Sequence, residues 1–145
     1  MILDDKYFMK QALAEAKSAF EKNEVPIGAI IVWDNKIIAR AHNLVETLKD
    51  VTAHAEMQAI TAAAEMLGSK YLKECTLYVT LEPCPMCAGA LKWAQIAKIV
   101  VGATDEKGGF SKISNDMLHP KTEYTTGLLK EECATLLQSF FKAKR

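Results

Sequence analysis

Apolar residues along this chain alternate between a helical repeat and short, nearly continuous runs, and the switches between the two mark out its elements. Phe8, Ala12, Ala16, Ala19 and Phe20 recur at helical spacing behind Asp4-Asp5, which predicts an opening amphipathic helix that ends before Val25-Pro26. Residues 27–33 and 36–40 are apolar runs around Asp34-Asn35, the pattern of a hairpin of two well-buried strands. Thr52 stands where the cap of a second helix is expected; its first turn holds His54 and Glu56, and its body runs through Met57, Ile60, Ala64 and Leu67 to Gly68. Residues 75–80 read as a short buried strand, Pro83 and Pro85 launch a helix over 86–95, and 98–102 form the next strand. The polar, glycine-bearing stretch 105–120 predicts a binding loop. A brief strand at 122–125 and a helix from 128 to about 142 follow, the helix with a stripe of Leu129, Cys133, Leu136, Leu137 and Phe140. The β–α–β–α–β succession from residue 36 predicts an α/β sandwich with crossover helices and parallel later strands.

With 145 residues, half of them hydrophobic, the chain has the material for one domain spanning 1–145, and no linker or low-complexity run divides it. The opening Met1-Ile2-Leu3-Asp4-Asp5-Lys6 lacks the basic-then-apolar layout of a signal peptide, and no apolar stretch approaches the ~20 residues of a membrane span. A soluble, cytoplasmic protein without membrane association is expected. The formal charge is zero, which removes bulk electrostatic capture of nucleic acid and leaves any such binding to a local patch such as Lys142, Lys144 and Arg145.

Of the four cysteines, Cys84 and Cys87 form a close pair, and in a reducing compartment such a pair binds metal or does redox work more often than it makes a structural staple. Standing alone, Cys84-x-x-Cys87 reads equally as a thioredoxin-like redox pair, and His54-Ala55-Glu56 as a solvated helix turn. Together they supply three borderline or soft zinc ligands, His54, Cys84 and Cys87, and one spare carboxylate. Three ligands leave a coordination place for water, as catalytic zinc sites do, whereas structural sites are closed by a fourth Cys or His. Cys75, Cys133, His42 and His119 are the candidates for such closure. Cys75 and Cys133 fall in apolar patterns, as core residues do, and the two histidines fall in or beside loops. Glu56 projects from another azimuth of the same turn as His54 and is the natural proton shuttle. The two predicted helix starts converge on one ion if their parent strands are neighbours, and a helix start favours the thiolate form that binds zinc.

The combination His-x-Glu with Pro-Cys-x-x-Cys is the signature of zinc nucleobase deaminases. On it, the chain resembles the cytidine deaminase-like superfamily and, within that, the branch of bacterial tRNA-specific adenosine deaminases. The resemblance extends over Glu24-Val25-Pro26-Ile27-Gly28-Ala29, Ala41-His42-Asn43, Thr52-Ala53-His54-Ala55-Glu56, residues 80–90, Val101-Gly102-Ala103 with Asp105 and Lys107, Glu132-Cys133 and Phe140-Phe141. It implies a three-layer α/β/α sandwich around a five-stranded mixed sheet, a bound Zn2+, a homodimer, and hydrolysis of the wobble adenosine of a tRNA anticodon to inosine. By position it implies that His54, Cys84 and Cys87 bind zinc, that Glu56 moves protons, and that Asn43 hydrogen-bonds the base. The Ala55 amide would hold the attacking oxygen or the base edge, Val25, Pro26 and Ile27 would wall the pocket, and Asp105 and Lys107 would meet the anticodon stem-loop. An Asn-His-Arg stretch common before the final strand in the family is replaced here by Leu118-His119-Pro120-Lys121. Pro85 and Trp93 look more like guanine deaminases, so a free-base or nucleoside deaminase of the same fold is the competing expectation, and a non-catalytic zinc-stabilised binding module a third.

Overall fold

A computed structural model describes residues 2–144. Asp4 caps the opening helix α1 (Asp5–Glu21), its carboxylate accepting from the Tyr7 amide. Strands β1 (Gly28–Trp33) and β2 (Lys36–His42) form the expected antiparallel hairpin, and Asp34 and Asn35 both take positive φ, as a tight two-residue turn requires. The remaining elements are α2 (Val45–Leu48), α3 (Ala55–Leu67), β3 (Thr76–Leu81), α4 (Pro85–Ala94), β4 (Lys98–Ala103), a 3-10 turn at Phe110–Lys112, β5 (Glu123–Thr126) and α5 (Lys130–Ala143).

The five strands lie in the order β2-β1-β3-β4-β5. β1 is antiparallel to both of its neighbours, while β3, β4 and β5 run parallel, so the sheet is mixed and its later half is parallel as expected. Side chains alternate across it. Ile31, Leu77, Val79, Ile99 and Val101 pack under α3 and α4, whereas Ile30, Val32, Tyr78 and Val100 pack under α1 with Phe8, Met9 and Ala12. With α5 on the α1 side, over β3 and β4, the layers are α/β/α. α1 sits so close to β1 that a Cβ at Gly28 would overlap the backbone of Ala12 and Ala16. Among the described residues, no helix is long and apolar enough to cross a membrane.

Several local expectations are corrected. β2 is an edge strand and only partly buried, because among the described residues no strand pairs with its outer side. Thr52 does not cap α3: its hydroxyl and amide turn back to Asp50, and His54 itself is the N-cap. The face of α3 turned to the sheet is Ala55, Ala59 and Ala63, one position off the expected stripe; these small side chains let the helix approach closely, and Ile60 and Leu67 pack at the margin. The last helix begins at Lys130 because Gly127 and Leu129 hold positive φ. The short α2 carries no sequence signal of its own. Arg145, counted in the basic tail, lies outside the described residues.

Candidate active site

The topology gathers the chemistry at one edge of the sheet. Because β2 and β3 are each antiparallel to β1, they run parallel to each other, and their C-terminal ends share an edge with the N-terminal end of β1; Gly28 pairs with His42 there. β4 ends at the same edge, Ala103 beside Leu81. The parent strands of α3 and α4, whose adjacency is the sequence-based condition for convergence, are therefore not neighbours but flank β1. The two helices converge because both leave C-terminal strand ends and return over the same face, the general location of sites in α/β sheets.

His54 and Cys84 occupy the N-cap positions of α3 and α4 with extended backbone, and neither side chain caps its own helix. They turn toward each other instead. His54 Nδ1 lies 3.5 Å from Cys84 Sγ and 3.5 Å from Cys87 Sγ, and the three donor atoms all lie within 4.8 Å of one another. Pro85, first in α4, has no amide proton to satisfy, so the missing cap costs little.

A tetrahedral zinc bonded at about 2.3 Å to sulfur and about 2.0 Å to nitrogen sets N and S about 3.5 Å apart, so this donor set fits the ion. The Cys87 thiol, hydrogen-bonding to Cys84, holds the latter down to about 5 against the cost of burial, with the Cys87 and Met86 amides helping. Cys87 is correspondingly pushed up by that same bond and by burial. Burial pushes the Glu56 carboxyl up to about 7, beside Cys84, His54 and Cys87. A carboxyl poised near neutrality suits proton transfer in both directions.

None of the four residues considered for closing the site joins this cluster among the described residues. Cys75 and Cys133 are buried and unbridged, and all four cysteines are free thiols. His42 Nδ1 lies 2.9 Å from Glu15 and its Nε2 lies 3.0 Å from Lys22 Nζ, while His119 accepts from the Lys121 amide.

Around the cluster, Asn43 is buried, its amide bonded to the Ile27 carbonyl at 3.1 Å and its Nδ2 3.5 Å from Glu24 Oε1. That bond brings Val25, Pro26 and Ile27 beside it; Pro26 is buried and the other two half-buried. Ala55 is buried in the first turn of α3. Asp105 Oδ1 accepts from the amides of Lys107 and Gly108, closing a turn that leaves Lys107 exposed. Lys107 shares a groove with Leu137, Phe141, Lys142 and Lys144 of the last helix and its end. At the other side of the loop, 119–122 closes as a turn, the Thr122 amide donating to the His119 carbonyl.

Two buried carboxylates carry more of the site than their place in the sequence suggests. Burial raises the Glu24 carboxyl, but the Thr47 hydroxyl and the amides of Thr47 and Glu46 outweigh it and hold it below its ordinary value. Glu82 accepts from the Asp105 amide and from the Ser111 amide and hydroxyl. Their only sequence signal is an acidic residue pressed into an apolar setting, before Val25-Pro26 and between Leu81 and Pro83.

The profile of the family described as MafB19-like deaminase matches residues 3–145. A tRNA-specific adenosine deaminase of Bacillus subtilis is 49% identical over 146 residues, covering 97% of this chain and 91% of that protein. The chain belongs to the tRNA-specific adenosine deaminase family. A solved structure from a study of A-to-I editing by tRNA:A34 deaminases at the wobble position superposes with a TM-score of 0.85 at 46% identity, covering 90% of this chain and 99% of the other. A guanine deaminase from Bacillus subtilis is further away, with a TM-score of 0.68 at 40% identity over 70% of this chain and 66% of its own. The deaminase fold expected from the resemblance is thus the observed one, and the thioredoxin-like reading of the cysteine pair is set aside by the histidine between the two sulfurs.

Proposed function

We propose that this protein is a zinc-dependent hydrolase that converts the wobble adenosine of a tRNA anticodon to inosine with release of ammonia. The observation that carries the reading is the His54, Cys84 and Cys87 donor set at zinc spacing beside a buried carboxylate, in a fold shared with a tRNA:A34 deaminase along nearly its whole length. Zinc, when bound, acidifies a water toward neutrality.

The chain's own residues do the rest. Glu56 accepts one proton as the water oxygen bonds to the amidine carbon and passes it to the ring nitrogen, then takes the second from the added hydroxyl and gives it to the amine as the C–N bond breaks and the carbonyl forms. Asn43 orients the base, the Ala55 amide meets the attacking oxygen or the base edge, and Val25, Pro26 and Ile27 exclude water from the pocket. Lys107 meets backbone phosphate of the anticodon stem-loop, with Asp105 shaping the turn that presents it. We place the protein in the cytoplasm, as one domain, and as a homodimer. The exposed Trp93 and Met86 on α4 support the last point, since a large apolar side chain 83% exposed is what a partner surface covers.

Pro85 and Trp93 favour a free-guanine deaminase as the second reading, which the lower sequence identity to guanine deaminases, 40% and 24% against 46%, weakens. Incubating the zinc-loaded protein with an anticodon stem-loop carrying adenosine at the wobble position tests the proposal. Adenosine read as guanosine at that position alone supports it, and an unchanged RNA refutes it.

A further inference from the structure

Glu82 directly follows β3, two residues before the donor Cys84, and is only 4% exposed. An ionised carboxylate there costs free energy unless its oxygens are met, and here donors from one loop meet them. The Asp105 amide lies 3.1 Å from Oε1, and the Ser111 amide and hydroxyl lie 3.0 Å and 2.6 Å from Oε2. The Phe110 amide adds a bond to the Pro83 carbonyl at 2.9 Å. Gly109 lies so close that any Cβ would overlap the Glu82 carboxyl, so the loop is seated directly on the charge. Both ends of residues 105–111 are therefore fixed to the turn that also presents Cys84. Between the fixed ends sits Lys107, held over the groove it shares with Phe141, Lys142 and Lys144.

We propose that Glu82 is a positioning residue for RNA: its buried carboxylate clamps the 105–111 loop so that Lys107 and the end of α5 form one basic wall beside the metal cluster. The inference rests on the tRNA reading for its ligand. Charge-assisted bonds hold a loop more tightly than neutral ones, and a loop held in its binding shape has less ordering to do when RNA arrives. Such a role acts on binding and leaves the chemistry of the bound base alone, which separates it from the role given to Glu56.

Glu82→Gln keeps the size of the side chain but turns an NH2 toward one of the loop's donors. In zinc-loaded protein it is expected to raise KM for the wobble-adenosine stem-loop about tenfold, with kcat within about twofold of the unaltered protein and one zinc per chain retained. Ser111→Ala, which removes one donor without disturbing the turn before Cys84, should raise KM by a smaller factor in the same direction. Hydrogen exchange at the amides of Asp105 and Ser111 should accelerate in the Glu82 variant, a change that a general loss of stability would spread over the sheet instead. Unchanged KM together with unchanged exchange, or a fall in kcat at constant KM, overturns the inference. Unaltered protein that neither binds nor deaminates the stem-loop overturns the tRNA reading itself, a result distinct from a variant that behaves like a working parent.

Discussion

His54 and Cys84 stand at helix caps yet leave their own helices uncapped, which is the local cost of aiming three donors at one point. If those donors hold one ion, removing any one of them removes most of its affinity. His54→Ala or Cys87→Ala should therefore lower zinc from about one per chain to near none by metal analysis, and full retention in both would contradict the site. Glu56 is assigned to protons and not to coordination. Glu56→Gln should keep zinc and fold while losing about 10²–10⁴-fold in turnover, and a near-parental rate would end that assignment. These four residues were legible because the chemistry demands particular residue types at short spacing. Glu24 and Glu82 were not, because a buried acceptor is defined by the donors that reach it, and those come from residues 46–47 and 105–111.

At the scale of elements, hydrophobic spacing located α1, the hairpin, β3, α4 and β4 to within a residue or two. It failed where a polar side chain had competing partners. Thr52 has the composition of a cap but is taken by Asp50, and α2 is too short to show a period; it is held from outside by Glu24. The Glu24 carboxyl lies below its ordinary value of 4.5, so its stabilising contribution is complete above that pH and is lost as pH falls through 4.5 toward the folded value. Glu24→Gln should lose about 1–3 kcal/mol of stability at neutral pH, since donors buried against it are left poorly matched. By urea unfolding, the gap between parent and variant should shrink from pH 7 to pH 3. A gap that stays constant over that range would show that the carboxylate's charge contributes nothing.

For the whole molecule, the decisive feature is that two antiparallel pairings about β1 bring the ends of β2, β3 and β4 to one edge. Helix convergence was expected from sequence, but its cause was not, because strand order is set by long-range pairing that local patterns do not encode. Lys107, Lys142 and Lys144 line one groove, a local basic patch within a neutral total. Stem-loop affinity should fall as salt rises, and Lys107→Ala should weaken binding, reduce the salt slope by about one, and leave zinc content unchanged. An unaltered slope would remove Lys107 from the RNA surface. The claim on which the rest depends is that the site acts on adenosine within an anticodon loop and not on a free base. Ammonia release, measured on one zinc-loaded preparation with a wobble-adenosine stem-loop beside free guanine, cytosine, adenine and cytidine, tests it most directly. Rapid turnover of the stem-loop with little or none of the free compounds is the predicted result, and rapid turnover of guanine with an inert stem-loop would contradict the account.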